Sequence, residues 1–443
     1  ALRMSNGGGT STINGPVLLT GNAAIGAGGT GVINGVISGA SSAALTIGPL
    51  TGGNLGGTIA LGGVNTYEGD TIINAGTLRL DNQFALQKST LSGSVGSVVL
   101  NSAVAANAFT FGGLQGARNL ALQNSSAVAI ALTVGANNST TSYSGILSGA
   151  GSLIKTGTGT LTLSGANTYA GSTSVQDGTL HLTYAHNSTL NGLSGAGTLQ
   201  KSGSGVLRLS TATTSGFTGN LTIQAGTFVT NGLHPLGAGS SLTLQNGSTY
   251  APAVLDDGLA ALTLGTMTTP TTPDIATIDL GDTTFTLSAT PSISSPVFVP
   301  IAAYTSSALA GGGIGSLTLL LPRNLQGTLV DDQGDSNAFG VSLTGYNPTV
   351  WKGSISNVWN VADTANWSLD NGATTDAFLD GDLAQFDDSA SGSGAVAVSL
   401  QTPAFPNSVT FANTTRDYTL SGTGSISGAA ALIKTNAATA TIS

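Results

Sequence analysis

Charge is what this sequence has least of. Only 7% of its 443 residues are Asp, Glu, Lys or Arg, against roughly 25% in an average globular protein. Cysteine is absent altogether, which excludes a disulfide scaffold, a thiolate metal site and a cysteine nucleophile. Basic residues are the scarcer sign: 11 against 20 acids, for a net charge of −9. A surface that tracks nucleic-acid phosphates is excluded on that ground. Aromatics make up 5%, so any core must be narrow and built from Leu, Ile, Val and Ala. No apolar run approaches the roughly 18 residues of a membrane-spanning helix; LTLLL at 317–321 stops at Pro322, and no membrane insertion is expected.

Glycine is abundant instead, with 65 residues, about twice the usual ~7%. It follows no G-X-Y period, which excludes collagen. Self-similarity explains the composition better. The stretch SGAGSLIKTGTGTLTLSGANTYAGSTSVQDGTLHL (148–182) recurs in part at 56–80, where Asn65, Tyr67, Gly69, Gly76 and Leu78 match Asn167, Tyr169, Gly171, Gly178 and Leu180. It recurs again at 194–228, with Phe217 in the place of Tyr169, and partially at 427–443. Within TLTLS, Leu161 and Leu163 alternate with Thr160 and Thr162 in the period of a strand. Glycine-bearing pieces between strands suit tight corners. A solenoid of stacked coils follows, each of roughly 20 residues, with Leu on Leu inside, Thr on Thr outside and Asn able to form ladders. Stacking like residues disfavours charge, which accounts for its scarcity.

On these residues the chain resembles the passenger-associated repeat of bacterial autotransporter proteins. From Trp351, WKGSISNVWNVADTANWSLDNG…DGDLAQFDD resembles the tryptophan-rich lead-in of large autotransporter-repeat proteins. The resemblance implies an all-β, right-handed parallel β-solenoid (β-helix) at the bacterial cell surface. The family's C-terminal membrane barrel is missing from this sequence, so self-export is not implied.

The expected order is β-solenoid over 1–250, a proline-rich, cap-like β region over 251–348, a small tryptophan-rich β module over 349–417, and a restart of the repeat over 418–443. The middle region holds eight of the 13 prolines, which cannot donate to a ladder and suggest edge strands and loops. Both termini fall inside a repeat: ALRM at 1–4 resembles TLRL at 77–80, and Ser443 matches Ser164. The sequence therefore reads as an excised segment, one unit of a tandem array or of a head-to-tail homopolymer. Residues 1–255 carry +3 and residues 256–443 carry −12, an asymmetry that favours head-to-tail encounter and weakens with salt. Acidic loops that merely keep the protein soluble are the plainer explanation.

Candidate chemistry is sparse. Glu68, Asp70, Asp81 and Asp177 are the only acids before residue 256, too few and too scattered for a polysaccharide lyase or hydrolase, so no catalytic residue is assigned and no enzyme is expected. Asp380, Asp382, Asp387 and Asp388, and separately Asp331, Asp332 and Asp335, offer carboxylates at spacings calcium could use, although neither run fits an EF-hand; otherwise no cofactor is expected. His181 and His186 fall on opposite faces of a strand end and His234 is remote, which argues against a metal pair. Trp351, Trp359 and Trp367, spaced by eight, are either the core of a small β unit or platforms for a sugar. Lys155, Lys201 and Lys434 share one repeat position and read as structural. The expected function is a stiff extracellular fibre or a segment of a giant repeat protein, with self as partner. The alternative is an adhesin that contacts surface polysaccharide through the tryptophan module.

Overall fold

A computed structural model describes the chain except for residues 5–7, 49–55, 211–215, 232–235, 238–239, 257–261, 288–293, 305–308, 333–337 and 370–374. The fold is all-β, a parallel β-solenoid; its one helical element among the described residues is the 3₁₀ turn Gly313–Ser316. No helix is long and apolar enough to cross a membrane. The chain forms two compact units: residues 1–286 with 299–319 and 330–340, and residues 341–443 with 287–298 and 320–329.

In the first unit each strand pairs in parallel with the strand one coil later. Thr160–Leu163 lies against Thr179–Thr183, then Thr198–Ser202, Asn220–Ile223 and Ser240–Leu244. The registers set like on like: Leu161 on Leu180 on Leu199 on Leu221 on Leu242, all within 1% of full burial. Thr160, Thr179 and Thr198 stack in the outer row. The predicted asparagine ladder is present in the pair Asn14–Asn34, whose side chains bond at 2.9 Å. Coil length follows from this register, since an asparagine such as Asn65 reaches the carbonyl of Ala85, 20 residues on.

Glycine does specific work at the corners. Gly76, Gly178 and Gly226 occupy one repeat position, and each has a left-handed backbone with φ between 59° and 71°, a conformation other residues adopt only with strain. At Gly219 a Cβ would stand 1.8 Å from the carbonyl oxygen of Gly197 in the coil below. Coils stack closely only because no side chain intervenes.

The proline-rich stretch corrects one expectation, because the solenoid does not stop at 250. The ladder continues from Ser240–Leu244 to Leu262–Thr268 and Val297–Tyr304, and from Ser248–Pro252 to Ala276–Asp279. Proline is accommodated where no N–H is needed: Pro252 ends its strand, Pro270 and Pro273 flank a turn, and Pro296 and Pro322 lie just outside strands.

The second unit repeats the principle with a wider core. Thr349–Trp351, Leu383–Phe386, Ser408–Phe411 and Ala431–Lys434 form one parallel ladder, and Val358–Trp359, Val396–Leu400, Tyr418–Ser421 and Ala440–Ile442 another. The tryptophan-rich stretch and the restarted repeat are thus successive coils of one stack. The antiparallel strand Trp367–Ser368 edges the first ladder through Val350–Ser368. Between the ladders lie Trp351, Trp359, Trp367, Phe378, Phe386, Phe411 and Tyr418.

Candidate functional site

Three sets of side chains distinguish this chain from a plain stack of aliphatic coils: polar groups buried at coil corners, the aromatic cluster, and the coil at 427–443. At the corners, Asn65 accepts from the N–H of Ile37 at 2.8 Å and donates to the carbonyl of Ala85 at 2.9 Å, tying three coils together. Asn167 does the same between the Leu147 N–H and the Tyr184 hydroxyl. The Tyr67 hydroxyl bonds Thr71 at 2.5 Å, and Tyr169 bonds Thr173 at 2.7 Å. Where Phe217 replaces the tyrosine, the partner four residues on is Leu221. Hydroxyl and partner are lost together, so no buried donor is orphaned.

Lys155 and Lys201 are 1% and 0% exposed and face no carboxylate side chain in an ion pair among the described residues. Their ammonium groups donate to backbone carbonyls: Lys155 to Thr156 at 2.6 Å and Gly157 at 2.7 Å, Lys201 to Gly203 at 2.9 Å and Ala225 at 2.8 Å. Burial pulls each down from the ordinary 10.5 to about 8. These lysines close coil corners, as their shared repeat position predicts. Arg118, buried to 8%, likewise spends its guanidinium on the carbonyls of Val95 and Gly96.

The acidic candidates are not brought together. Asp388 accepts from the N–H groups of Thr415, Thr414 and Arg416, which hold its carboxyl below the usual range. Asp387 caps Ser389 at 2.8 Å, Asp380 accepts from the Phe405 N–H at 2.9 Å, and Asp382 accepts from Leu379 and pairs with Arg323 at 3.3 Å. Burial raises Asp382 despite that pairing. Among the described residues no three His, Cys, Asp or Glu side chains converge as metal ligands. Each of these four carboxylates thus accepts from backbone N–H groups of its own loop or a neighbouring one. Asp335 and His234 lie outside the described residues. His181 bonds Ser202 at 2.8 Å, and the His186 ring packs on Tyr184 with centroids 5.0 Å apart.

Trp351, Trp359 and Trp367 are 1%, 0% and 0% exposed. Trp367 meets both others edge-on at 5.1 Å, and Phe378 and Phe386 close around them. The reading of these rings as exposed sugar platforms is corrected: a stacking face must be open to solvent, and these three side chains are within 1% of full burial. The eight-residue spacing serves the core.

The coil at 427–443 differs from its earlier copies in one respect. Its strand ALIK matches SLIK at 152–155, yet Leu432 is 62% exposed where Leu153 is 0%. Ile433 and Ile442 are also open, and Lys434, which donates to the Asn436 carbonyl, is exposed where Lys155 and Lys201 are buried.

Comparison with known proteins agrees with this geometry. Residues 56–80, 153–182 and 199–229 match the passenger-associated-transport-repeat family. The adhesin BmaC autotransporter of Brucella suis biovar 1 (strain 1330) is 36% identical over 137 residues, which is 30% of this chain and 4% of that protein. The chain thus spans a small fraction of the relative it matches. No solved structure matches it.

Proposed function

We propose that this chain is a structural segment of an extracellular bacterial surface protein, a stiff β-solenoid onto which a further coil stacks, supplied by the same polypeptide or by another copy. The transport repeats support an exported setting, and the similarity to an autotransporter adhesin supports the cell surface. One observation carries the stacking: Leu432 and Lys434 occupy repeat positions that are buried at Leu153 and Lys155 and stand exposed here. A strand whose apolar side chains and backbone groups face water is a template for strand addition. The −12 of residues 256–443 against the +3 of residues 1–255 speeds association of unlike ends at low salt. No chemistry belongs to this reading. In the repeats Asp81 pairs with Arg79 at 2.7 Å, Glu68 with Lys88 at 3.5 Å, and Asp70 accepts from the Gln115 amide at 2.7 Å.

The test is electron cryomicroscopy of cells that produce the protein, paired with protease shaving of intact cells. Surface filaments with unbroken coil spacing through the coil at 427–443, lost in Leu432→Asp, are the expected outcome. Protein that resists shaving because it stays inside the cell, or filaments unaffected by Leu432→Asp, would overturn the proposal.

A further inference from the structure

We infer that the cleft beside Trp351 in the second unit binds an anionic sugar residue, its carboxylate or sulfate received by Lys352 and Arg416. The cleft holds about 290 Å³ and is lined by Trp351, Lys352, Gly353, Ser356, Ser391 and Arg416, among others. Residues 256–443 contain only four bases among sixteen acids. Two of the four line this cleft, and no Asp or Glu does. Both cations are held by neutral groups. The Lys352 ammonium donates to the Ser389 hydroxyl at 2.6 Å, and Arg416 donates to the carbonyls of Gly394 at 2.8 Å, Ser391 at 3.1 Å and Ala390. Of the acids next to these bonds, Asp387 accepts from the Ser389 hydroxyl and N–H, and Asp388 faces the N–H groups of residues 414–416; neither lines the cleft. Neither cation has a carboxylate partner in an ion pair among the described residues.

The floor supplies a second, independent feature. The Trp351 indole N–H is buried without a hydrogen-bond partner. The other two tryptophans share that state, but neither lines this cleft. Gly353 lies over the indole, where a Cβ would stand 3.0 Å from Nε1, and its backbone is left-handed at φ +56°. Glycine is therefore the thinnest cover this donor can have. Asn366, fully buried, holds the loop by accepting from Ile355 and Ser356 and donating to the Val358 carbonyl at 2.8 Å.

The chemistry of the lining narrows the ligand. Two cations without a direct carboxylate partner call for an anion. Serine hydroxyls at 356, 391 and 393 and the Asn357 amide suit a polyol. The volume is at the lower end of the roughly 300–1,000 Å³ of small-ligand sites, which fits a single sugar residue. The second unit's own excess of eight acids over four bases opposes a polyanion such as nucleic acid, because only the local field is positive. This site is independent of coil stacking, which uses other residues.

The experiment is calorimetric titration of the full chain at low salt with trigalacturonate, with a sulfated disaccharide and with neutral maltotriose. All three tryptophans lie in this unit, so intrinsic fluorescence gives a second readout. Binding of either anionic probe, with maltotriose inert, is expected; which anion binds identifies carboxylate or sulfate as the recognised group. Lys352→Gln should weaken it about tenfold with unchanged circular dichroism, Lys352→Arg should retain it, and Gly353→Ala should weaken it by covering the floor. Silence of both anionic probes at millimolar concentration, equal binding of maltotriose, or undiminished affinity in Lys352→Gln would overturn the inference. Lys352 is only half-buried at the rim, so its variants decide the matter even if Gly353→Ala fails to fold.

Discussion

At the scale of single residues, the buried lysines give the protein an unusual response to pH. Lys155 and Lys201 titrate near 8 when folded and near 10.5 when exposed. Below pH 8 both states are protonated and the contribution is flat. Between about 8 and 10.5 the unfolded chain holds more protons than the folded one, so stability rises with pH. Tyr67 and Tyr169 act in the opposite sense. Burial pushes each to about 12, so above pH 10 the unfolded chain alone ionises its tyrosines and stability falls. Urea denaturation should therefore show a maximum near pH 10, with a rise on the order of a few kcal/mol on its acid side. The double variant Lys155→Met, Lys201→Met should lose that rise. A flat profile in the unmodified protein would show that the carbonyl cages hold the ammonium form as well as water does.

Among elements, the clamp at Asn65 binds coils more firmly than any exposed ladder pair, because it serves a buried backbone N–H and a buried backbone carbonyl at once. Asn65→Ala should destabilise by about 1–3 kcal/mol, the range for orphaning buried polar groups, as read from the urea midpoint; a change within error would mean that water takes over both bonds. The sequence exposed this layer of the structure well. Strands such as Thr160–Leu163, their inward leucines and the corner glycines were all legible from the repeat, because period-two alternation and a recurring φ > 0 position each have one physical reading. Three things were not legible. The stretch 83–142 has no clean copy of the repeat, yet it joins the same ladder through a register shift between Leu86 and Thr90. Such a shift depends on backbone geometry and leaves little trace in side-chain pattern. The tryptophans were ambiguous for a different reason: a ring that packs a core and a ring that greets a sugar look alike until exposure is known. The cleft beside them was missed because its cations, Lys352 and Arg416, are 64 positions apart in the chain and no local motif joins them.

For the whole molecule, the two units have separate cores, and all tryptophan belongs to the second. Fluorescence then follows only that unit's core, while far-ultraviolet circular dichroism follows both. Leu199→Ala, at a fully buried position in the first unit, should remove about 2–5 kcal/mol there and shift the dichroism transition while the fluorescence transition stays in place. Movement of both together would show that the units unfold as one. The register of the first unit has a further consequence. Thr160 sits on Thr179 and Thr179 on Thr198, so a genetic duplication of residues 160–178 would insert one whole coil with Leu161 and Leu163 still beside leucines. A duplication of half that length would turn each inward side chain toward the wrong neighbour. Lineages that carry this solenoid can therefore grow or shorten it, but only in integers, and recombination between repeats is the event that counts the steps.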